Sequence, residues 1–244
     1  MSPQPITLVI LTAAGLGALH TLLGPDHYVP FVMMARAARW SWRKTLIVTF
    51  ACGLAHVLSS VVLGAIGIVL GMAAAQLEFV ESFRGRLAAW TLIGFGLLYF
   101  AWGLQHARRR RPHSHLHCHT DGTLQAQAHI HKEEPLHLHG TSQPDPSSRT
   151  VRLAPWVLFT IIGFGPCEPL IPLSMFAAAQ YGLAGAALVT MTFGLTTLGA
   201  MLLLVLMGKS GMDRLSLGPL EHFLHAIAGA SLVLCGSAIY FLGL

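Results

Sequence analysis

The sequence has few charged residues. Asp, Glu, Lys and Arg make up 10% of its 244 residues, whereas hydrophobic residues make up 54%. Because about a quarter of the residues in a soluble domain are charged, this composition excludes an ordinary soluble protein. Cysteine is also scarce, and three of the four cysteines lie in apolar stretches, which excludes a disulfide framework. The chain has a net charge of +5. Because its basic residues lie in the loops between these stretches, where they anchor the chain at the membrane surface, we expect no binding of nucleic acid.

Several motifs of enzymes are missing from the sequence. It has no P-loop, no Ser/His/Asp arrangement and no His-Glu-x-x-His motif. We therefore expect a protein that is not an enzyme, and any direct use of ATP would need a partner protein. The first apolar stretch also lacks a basic region before it, so we expect no cleaved secretory signal.

Long apolar stretches account for most of the chain. A bilayer core of about 30 Å requires about 20 apolar residues in a helix. Six stretches meet this requirement, at residues 6–23, 45–74, 87–105, 153–179, 183–207 and 222–243. We predict an all-α polytopic membrane protein with six transmembrane helices, three in each half of the chain.

The two halves of the chain repeat one another. The segment Gly24-Pro25-Asp26-His27 returns as Gly165-Pro166-Cys167-Glu168, 141 positions later. The same offset relates Gly53-Leu54 to Gly194-Leu195. Since each copy has an odd number of spans, the second copy must enter the membrane from the opposite face. We predict a 3+3 inverted repeat whose helices are broken at the two Gly-Pro pairs.

The basic residues predict the orientation in the membrane. Of the 15 Lys and Arg residues, 13 follow the first, third or fifth span, and only Arg84 and Arg86 lie on the other side. The positive-inside rule then places the long central loop in the cytoplasm and both termini outside. We expect a multi-pass protein of a bacterial-type inner membrane, surrounded by lipid, and a homo-oligomer is left open.

Residues 106–152 separate a first three-helix repeat, residues 1–105, from a second, residues 153–244. The segment contains nine of the 14 histidines and almost nothing that could build a core, so we predict a disordered cytoplasmic loop. Alternate imidazoles in a flexible chain can surround a borderline cation such as Ni²⁺, Co²⁺, Zn²⁺ or Cu²⁺. The alternative is a polar linker that is His-rich by composition alone. The candidate ligands of this accessory site are His113, His115, His117, Cys118, His119, His129, His131, His137 and His139.

Ionisable residues within or next to the apolar stretches predict a second, central site. Such residues are costly in the middle of a bilayer and usually mark a site or a pathway. Each Gly-Pro pair can start a new half-helix, and two half-helices that enter from opposite faces would meet near the midplane. We predict that they hold one divalent transition-metal ion. The candidate ligands are His20, Asp26, His27, His56, Cys167 and Glu168.

Structural roles stay open for these residues. His56 is also explained as a buried histidine that is bonded to a carbonyl of a neighbouring helix. His20 and His27 are also explained as partners of Asp26 that hold the helices together. Cys167, taken alone, is more often a small packing residue than a ligand.

The first break resembles a known signature. His20-Thr-Leu-Leu-Gly-Pro-Asp26-His27 is similar to the His and Asp-His signature of the nickel/cobalt transporter superfamily, whose exporter branch has six spans and a His-rich cytoplasmic loop. The resemblance implies that His20, Asp26 and His27 bind the transported Ni²⁺ or Co²⁺. Five residues separate His20 from Asp26, where that signature has four.

The second break resembles other families. The segment Gly165-Pro166-Cys167-Glu168-Pro169 is similar to the Pro-Cys segments of the cytochrome c biogenesis and disulfide-reductase membrane proteins, and more loosely to sulfite exporter-like proteins. Because Asp26 stands in the first copy where Cys167 stands in the second, a disulfide between the repeats cannot form there.

These observations lead to one hypothesis and two alternatives. The hypothesis is a transporter of a divalent transition-metal ion, with Ni²⁺ or Co²⁺ expected first and export favoured over import, that works by alternating access. No permanently bound cofactor is expected. The alternatives are a permease for sulfite or organic anions and a thiol-redox membrane protein.

Overall fold

The computed structural model describes residues 5–72, 74–109, 113–118, 124–129, 146–165, 167–216 and 218–243. Most of these residues form α-helices, joined in two places by 3₁₀ turns at Pro25–His27 and Gly218–Phe223. The helices are α1 Ile6–Leu23, α2 Val29–Ala37, α3 Trp42–Val69, α4 Ala74–Arg109, α5 Pro146–Gly163, α6 Leu170–Arg214 and α7 Leu224–Leu242. Two short strands, β1 His113–Cys118 and β2 Leu124–His129, pair antiparallel.

Several of these helices can cross a membrane. Among the described residues, five segments are long and apolar enough, namely Ile6–Leu23, Trp42–Val69, Gln76–Arg108, Leu170–Arg214 and Leu220–Leu242. Between 22% and 33% of the residues of each apolar window are buried inside the protein, so most of each segment faces outward. Large apolar side chains such as Leu98 and Phe241 are exposed there. The prediction of a helical protein with several membrane-crossing segments is confirmed at this level.

The helix boundaries differ from the predicted spans in two places. The predicted span 153–179 is interrupted, because α5 ends at Gly163 and α6 begins at Leu170. Helix α6 then continues for 45 residues through one non-helical residue, Gly182, with φ of 70° and ψ of −172°. Helix α4 also begins 13 residues before the predicted start at residue 87, at Ala74. Its first turns tolerate charge because Arg84 and Glu81 pair with each other at 2.6 Å.

The segment 106–152 contains secondary structure. Helix α4 runs to Arg109, helix α5 begins at Pro146, and β1 and β2 lie between them. In these parts the backbone differs from the predicted disordered loop. The remaining residues of the segment lie outside the described part of the chain.

The helices pack closely where their side chains are small. Helices α4 and α7 lie against each other, and a Cβ added at Gly229 would collide with the backbone of Phe100. Small residues of this kind allow two helices in a membrane to approach closely. Helix α1 lies against α6, where the Thr197 hydroxyl is 3.5 Å from the Gly17 carbonyl oxygen. The end of α1 is therefore held next to the middle of α6.

The buried core has two parts. One contains Phe31 and Met34 of α2 together with Leu92 and Tyr99 of α4. The other contains Val9 of α1 and Phe193 of α6, together with Cys167 and Leu170. The turn that follows α1 lies against α1, α2 and α7, and its His27 reaches His56 of α3.

Candidate metal-binding site

The site begins at the break after α1. Pro25 has no N–H and has a fixed φ, so it cannot continue the helix, and the chain turns through the 3₁₀ segment Pro25–His27 instead. The Gly24 N–H donates to the His20 carbonyl at 3.0 Å and closes the end of α1. Glycine is needed at this position for a steric reason, because an added Cβ would lie 2.6 Å from His27 Nδ1 and 2.9 Å from Asp26 Oδ1. The break therefore folds His27 and Asp26 back over the end of α1.

Three histidines meet at this break. His20 lies on α1, His27 on the 3₁₀ turn and His56 in the middle of α3. One ring nitrogen of each lies within 4.8 Å of those of the other two. Within the described residues, this is the group of three or more His, Cys, Asp or Glu side chains that could share one metal ion. His27 and His56 are each only 2% exposed.

The hydrogen bonds of two of these rings fix their tautomers. His56 Nδ1 is 3.1 Å from the carbonyl oxygen of Ile162, and His27 Nδ1 is 3.1 Å from the carbonyl oxygen of Gly24. A carbonyl oxygen only accepts, so in each case Nδ1 carries the proton and donates it. Each neutral ring then has a lone pair on Nε2. The two Nε2 atoms are 3.3 Å apart, so two lone pairs face each other unless a proton or another cation lies between them.

Asp26 supports the His27 ring from behind. Its Oδ1 is 3.2 Å from His27 Nδ1, on the side of the ring away from His56. Histidines that bind metals commonly donate their second N–H to a carboxylate or a carbonyl, which orients the ring and makes the ligating nitrogen more basic. His27 has both kinds of partner and His56 has a carbonyl.

His20 completes the cluster with an unsatisfied nitrogen. Its Nε2 is buried and has no hydrogen-bond partner among the described residues. The His20 ring lies edge-to-face with His27 at a centroid distance of 4.7 Å and parallel to His56 at 6.2 Å. A buried nitrogen without a partner is costly, and a shared cation would satisfy it.

A small cavity adjoins the cluster. It has a volume of about 20 Å³ and is lined by His20, Asp26 and His27 together with apolar residues and Gly165. A volume of that size holds about one water molecule or one ion. Gly165 belongs to the second break, and a Cβ added there would lie 3.5 Å from His56 Nδ1. Both breaks therefore border the same small space.

The structure separates two of the six predicted ligands from the others. Cys167 and Glu168 are not in the three-histidine group found among the described residues. The Cys167 side chain is buried in the apolar core around α1 and α6, and its backbone N–H donates to Ser60 Oγ at 3.2 Å. Glu168 is exposed. His20, His27 and His56 come together, and Asp26 lies behind His27.

An ion pair that the sequence analysis did not assign to the site lies at the second break. Arg84 donates to Glu81 Oε1 at 2.6 Å and to Ser59 Oγ at 2.8 Å. It also donates to the carbonyl oxygens of Phe164 and Gly165 at 3.2 and 3.3 Å. These carbonyls follow the last residue of α5, so the guanidinium caps the carboxyl end of that helix. The spacing of Glu81 and Arg84, three residues apart, is a sequence signal of a helical pair.

Another group of aromatic and imidazole rings lies at the far end of α4. The Tyr99 hydroxyl is 2.8 Å from His225 Nδ1, and the His106 and His225 ring centroids are 5.6 Å apart. Trp102 is stacked on His106 at 5.2 Å. His222, by contrast, is exposed.

The candidate ligands of the accessory site are described only in part. The backbone of β1 carries His113, His115, His117 and Cys118, and that of β2 carries His129. The other four, His119, His131, His137 and His139, lie outside the described residues. The accessory site stays a prediction.

Comparisons of the chain with protein-family models, with characterised proteins and with solved structures found no match.

Proposed function

We propose that the protein is a membrane transporter of a divalent transition-metal ion, with His20, His27 and His56 as the site of the transported ion. The observation that carries the proposal is the convergence of three imidazole nitrogens within 4.8 Å of one another. One nitrogen of the His20 ring, Nε2, is buried and has no hydrogen-bond partner among the described residues. Imidazole is a preferred ligand of Zn²⁺, Cu²⁺, Ni²⁺ and related ions, whereas Mg²⁺ and Ca²⁺ prefer oxygen.

The position of the site supports transport over a purely structural metal. Structural sites hold folded elements together, whereas many transporters bind their substrate where discontinuous helices meet inside the bundle. Here His20 and His27 lie at the break between α1 and α2 and His56 of α3 contacts His27. Ile162 at the end of α5 and Gly165 at the second break border the same space. Two interrupted helices thus surround one small cavity.

The helix boundaries support a 3+3 inverted repeat. Shifting α1, Ile6–Leu23, by 141 residues gives 147–164, and α5 is Pro146–Gly163. Shifting α3, Trp42–Val69, gives 183–210, which starts directly after the non-helical Gly182 within α6. Under this proposal α6 comprises a half-helix before Gly182 and a full span after it, and α5 with the first half of α6 forms one interrupted span. The count then becomes six spans.

The charge distribution supports the orientation. With 13 of the 15 basic residues on one side, both termini lie outside and the segment between α4 and α5 lies in the cytoplasm of a bacterial-type inner membrane. Its histidines would collect metal at the inner face and so favour export. On the resemblance of the first break, Ni²⁺ or Co²⁺ is the expected cargo.

Transport in vesicles tests the proposal. Purified protein is reconstituted into liposomes, and the uptake of radioactive Ni²⁺, Co²⁺ and Zn²⁺ is measured for the wild type, His56→Leu and His222→Leu. We expect uptake above that of empty liposomes for the wild type and for His222→Leu, since His222 is exposed and outside the cluster. We expect His56→Leu to be reduced to the empty-liposome rate. Equal uptake by all three proteins would contradict the assignment of the site.

The same vesicles separate the two alternatives. A permease for anions would move labelled sulfite and show no metal uptake. A thiol-redox protein would need Cys167, so Cys167→Ser would abolish its activity, whereas the metal transporter should tolerate this change, since Cys167 lies in an apolar core. Among the described residues, Cys52, Cys167 and Cys235 are free thiols.

A further inference from the structure

The distance between the Nε2 atoms of His27 and His56 indicates which coordination geometry the site favours. Nε2 of His27 and Nε2 of His56 are 3.3 Å apart. For metal–nitrogen bonds of about 2.0–2.1 Å, neighbouring ligands of a tetrahedral ion are about 3.3–3.4 Å apart, and ligands at right angles are about 2.8–3.0 Å apart. The observed distance fits the tetrahedral arrangement. An octahedral or square-planar ion would need the two rings to approach each other.

These two rings are held in place. His56 Nδ1 donates to the Ile162 carbonyl at 3.1 Å, and His27 Nδ1 donates to the Gly24 carbonyl at the same distance. Both rings are almost completely buried. Moving the two rings closer together would stretch these two hydrogen bonds. The protein therefore favours an ion whose coordination geometry matches the observed distance between the two Nε2 atoms.

The third ring is also compatible with a tetrahedral ion. The ring centroids of His20, His27 and His56 are separated by 4.7, 5.0 and 6.2 Å. Two imidazoles on a tetrahedral ion have centroids about 5.3 Å apart. The separations of 4.7 and 5.0 Å are close to this value, whereas the 6.2 Å between His20 and His56 is longer, so His20 has to move towards the ion. His20 is the ring whose nitrogen has no partner, so it can turn towards the ion without losing a hydrogen bond.

The space beside the cluster limits the remaining ligands. The cavity of about 20 Å³ has room for about one water molecule. Its other walls include Leu92, Ile161 and Ile239, which carry no ligand atoms in their side chains. Asp26 lies in the wall, but its carboxylate is not part of the group of ligand atoms within 4.8 Å of one another, and its Oδ1 is directed at His27 Nδ1 at 3.2 Å. Three imidazoles and one water make four ligands, and an octahedral ion would need two more.

We infer that the site binds its ion with four ligands, three imidazoles and one water, and that it therefore selects Zn²⁺ and Co²⁺ over Ni²⁺. This inference rests on the proposed function, but for the cargo it replaces Ni²⁺, which the resemblance of the first break implies, by Zn²⁺ beside Co²⁺. Zn²⁺ has no geometric preference from its d electrons and accepts four ligands readily, whereas Ni²⁺ is typical of square-planar or tetragonal sites. Imidazoles that are free to arrange themselves around the ion bind Ni²⁺ more tightly than Co²⁺. We expect this site to bind Co²⁺ more tightly than Ni²⁺.

The test uses the full chain in detergent, with the loop histidines replaced by serine so that the central site is measured alone. Co²⁺ is added to this protein and its visible absorption is recorded, because tetrahedral Co²⁺ absorbs much more strongly than octahedral Co²⁺. Competition with Ni²⁺ and Zn²⁺ then gives the order of affinities. The same measurements are made on His20→Leu, which removes a nitrogen without a partner and so should leave the fold intact, and on the exposed control His222→Leu.

We expect strong absorption from bound Co²⁺. Co²⁺ and Zn²⁺ should bind at least about tenfold more tightly than Ni²⁺. The absorption should be lost in His20→Leu and retained in His222→Leu. Weak absorption together with tighter binding of Ni²⁺, both dependent on His20, would overturn the four-ligand inference and leave the transporter proposal in place. Metal binding that is absent, or unchanged in His20→Leu, would overturn both.

Discussion

Replacing Gly24 by alanine tests whether the break positions the metal ligands. The backbone at Gly24 has φ of −85° and ψ of 94°, a region that alanine also adopts, so the substitution causes no backbone strain. Its effect is purely steric, since the new Cβ would lie 2.6 Å from His27 Nδ1 and 2.9 Å from Asp26 Oδ1. An ordinary contact needs at least about 3.4 Å, so the imidazole must move by about 0.8 Å or the turn must open.

The displacement has two measurable consequences. Overpacking of this kind costs about 1–3 kcal/mol of stability. The hydrogen bonds that orient His27 would also be broken, and loss of such supporting contacts lowers metal affinity by about 10–100-fold. We expect Gly24→Ala to show weaker Zn²⁺ and Co²⁺ binding by calorimetry, together with a lower thermal unfolding temperature in detergent.

Gly15→Ala is the matched control. Gly15 lies on the same helix, α1, and an added Cβ would meet nothing within 4 Å. This variant should bind metal as the wild type does and should be at least as stable, because alanine favours a helix over glycine by about 1 kcal/mol. Unchanged metal affinity in Gly24→Ala would refute the view that the turn holds His27 in its ligating position.

Three further predictions concern other parts of the molecule. Arg84→Met should destabilise the protein by about 3–5 kcal/mol because it leaves the buried Glu81 carboxylate without its ionic partner. The double variant Arg84→Met, Glu81→Leu should recover part of the lost thermal stability, and no recovery would argue against a stabilising ion pair. Gly229→Ala should lower the unfolding temperature through its collision with Phe100, at a cost of about 1–3 kcal/mol, whereas Gly94→Ala on α4, with nothing within 4 Å, should not. Replacing the loop histidines by serine should slow vesicle transport at low metal concentration and leave the central binding stoichiometry unchanged.

The first half of the site was predictable because its signals are local. His20, Asp26 and His27 lie within eight consecutive positions around a Gly-Pro pair, and a helix that ends at such a pair brings its last turn against the residues that follow. His56 was predicted on the cost of an ionisable side chain in an apolar segment. Its carbonyl partner Ile162 lies 106 positions away, and a backbone acceptor leaves no mark in the side-chain pattern.

The other two predicted ligands, Cys167 and Glu168, were predicted from the repeat in the sequence. A repeat conserves the path of the backbone better than it conserves the contacts of the side chains. The repeat predicted Cys167 and Glu168 as ligands because they occupy the positions of Asp26 and His27 in the second copy. A break in a helix is set by Gly and Pro, which both copies have. Whether the residues after the break face the cavity depends on the helices packed around them. At the second break, Arg84 and Ser60 from neighbouring helices bond to the chain instead.

Under the proposed repeat, differences between the two halves account for the small number of ligand atoms at the cavity. In the register of 141 positions, His20 corresponds to Ile161 and His56 corresponds to Thr197. His20 and Ile161 both line the cavity, so matching positions of the two halves face one space, one with a ligand nitrogen and the other with an apolar wall. The first half of the chain thus supplies all three imidazoles, and the second half supplies the Ile162 carbonyl that orients His56. If the second half also had histidine at these two positions, five imidazoles could surround the ion, and with one water they would allow octahedral coordination. Introducing a fourth imidazole by Ile161→His should therefore shift the metal preference of the site towards Ni²⁺. If competition between Co²⁺ and Ni²⁺ gave the same result in this variant and in the wild type, the apolar wall at Ile161 would not set the metal preference.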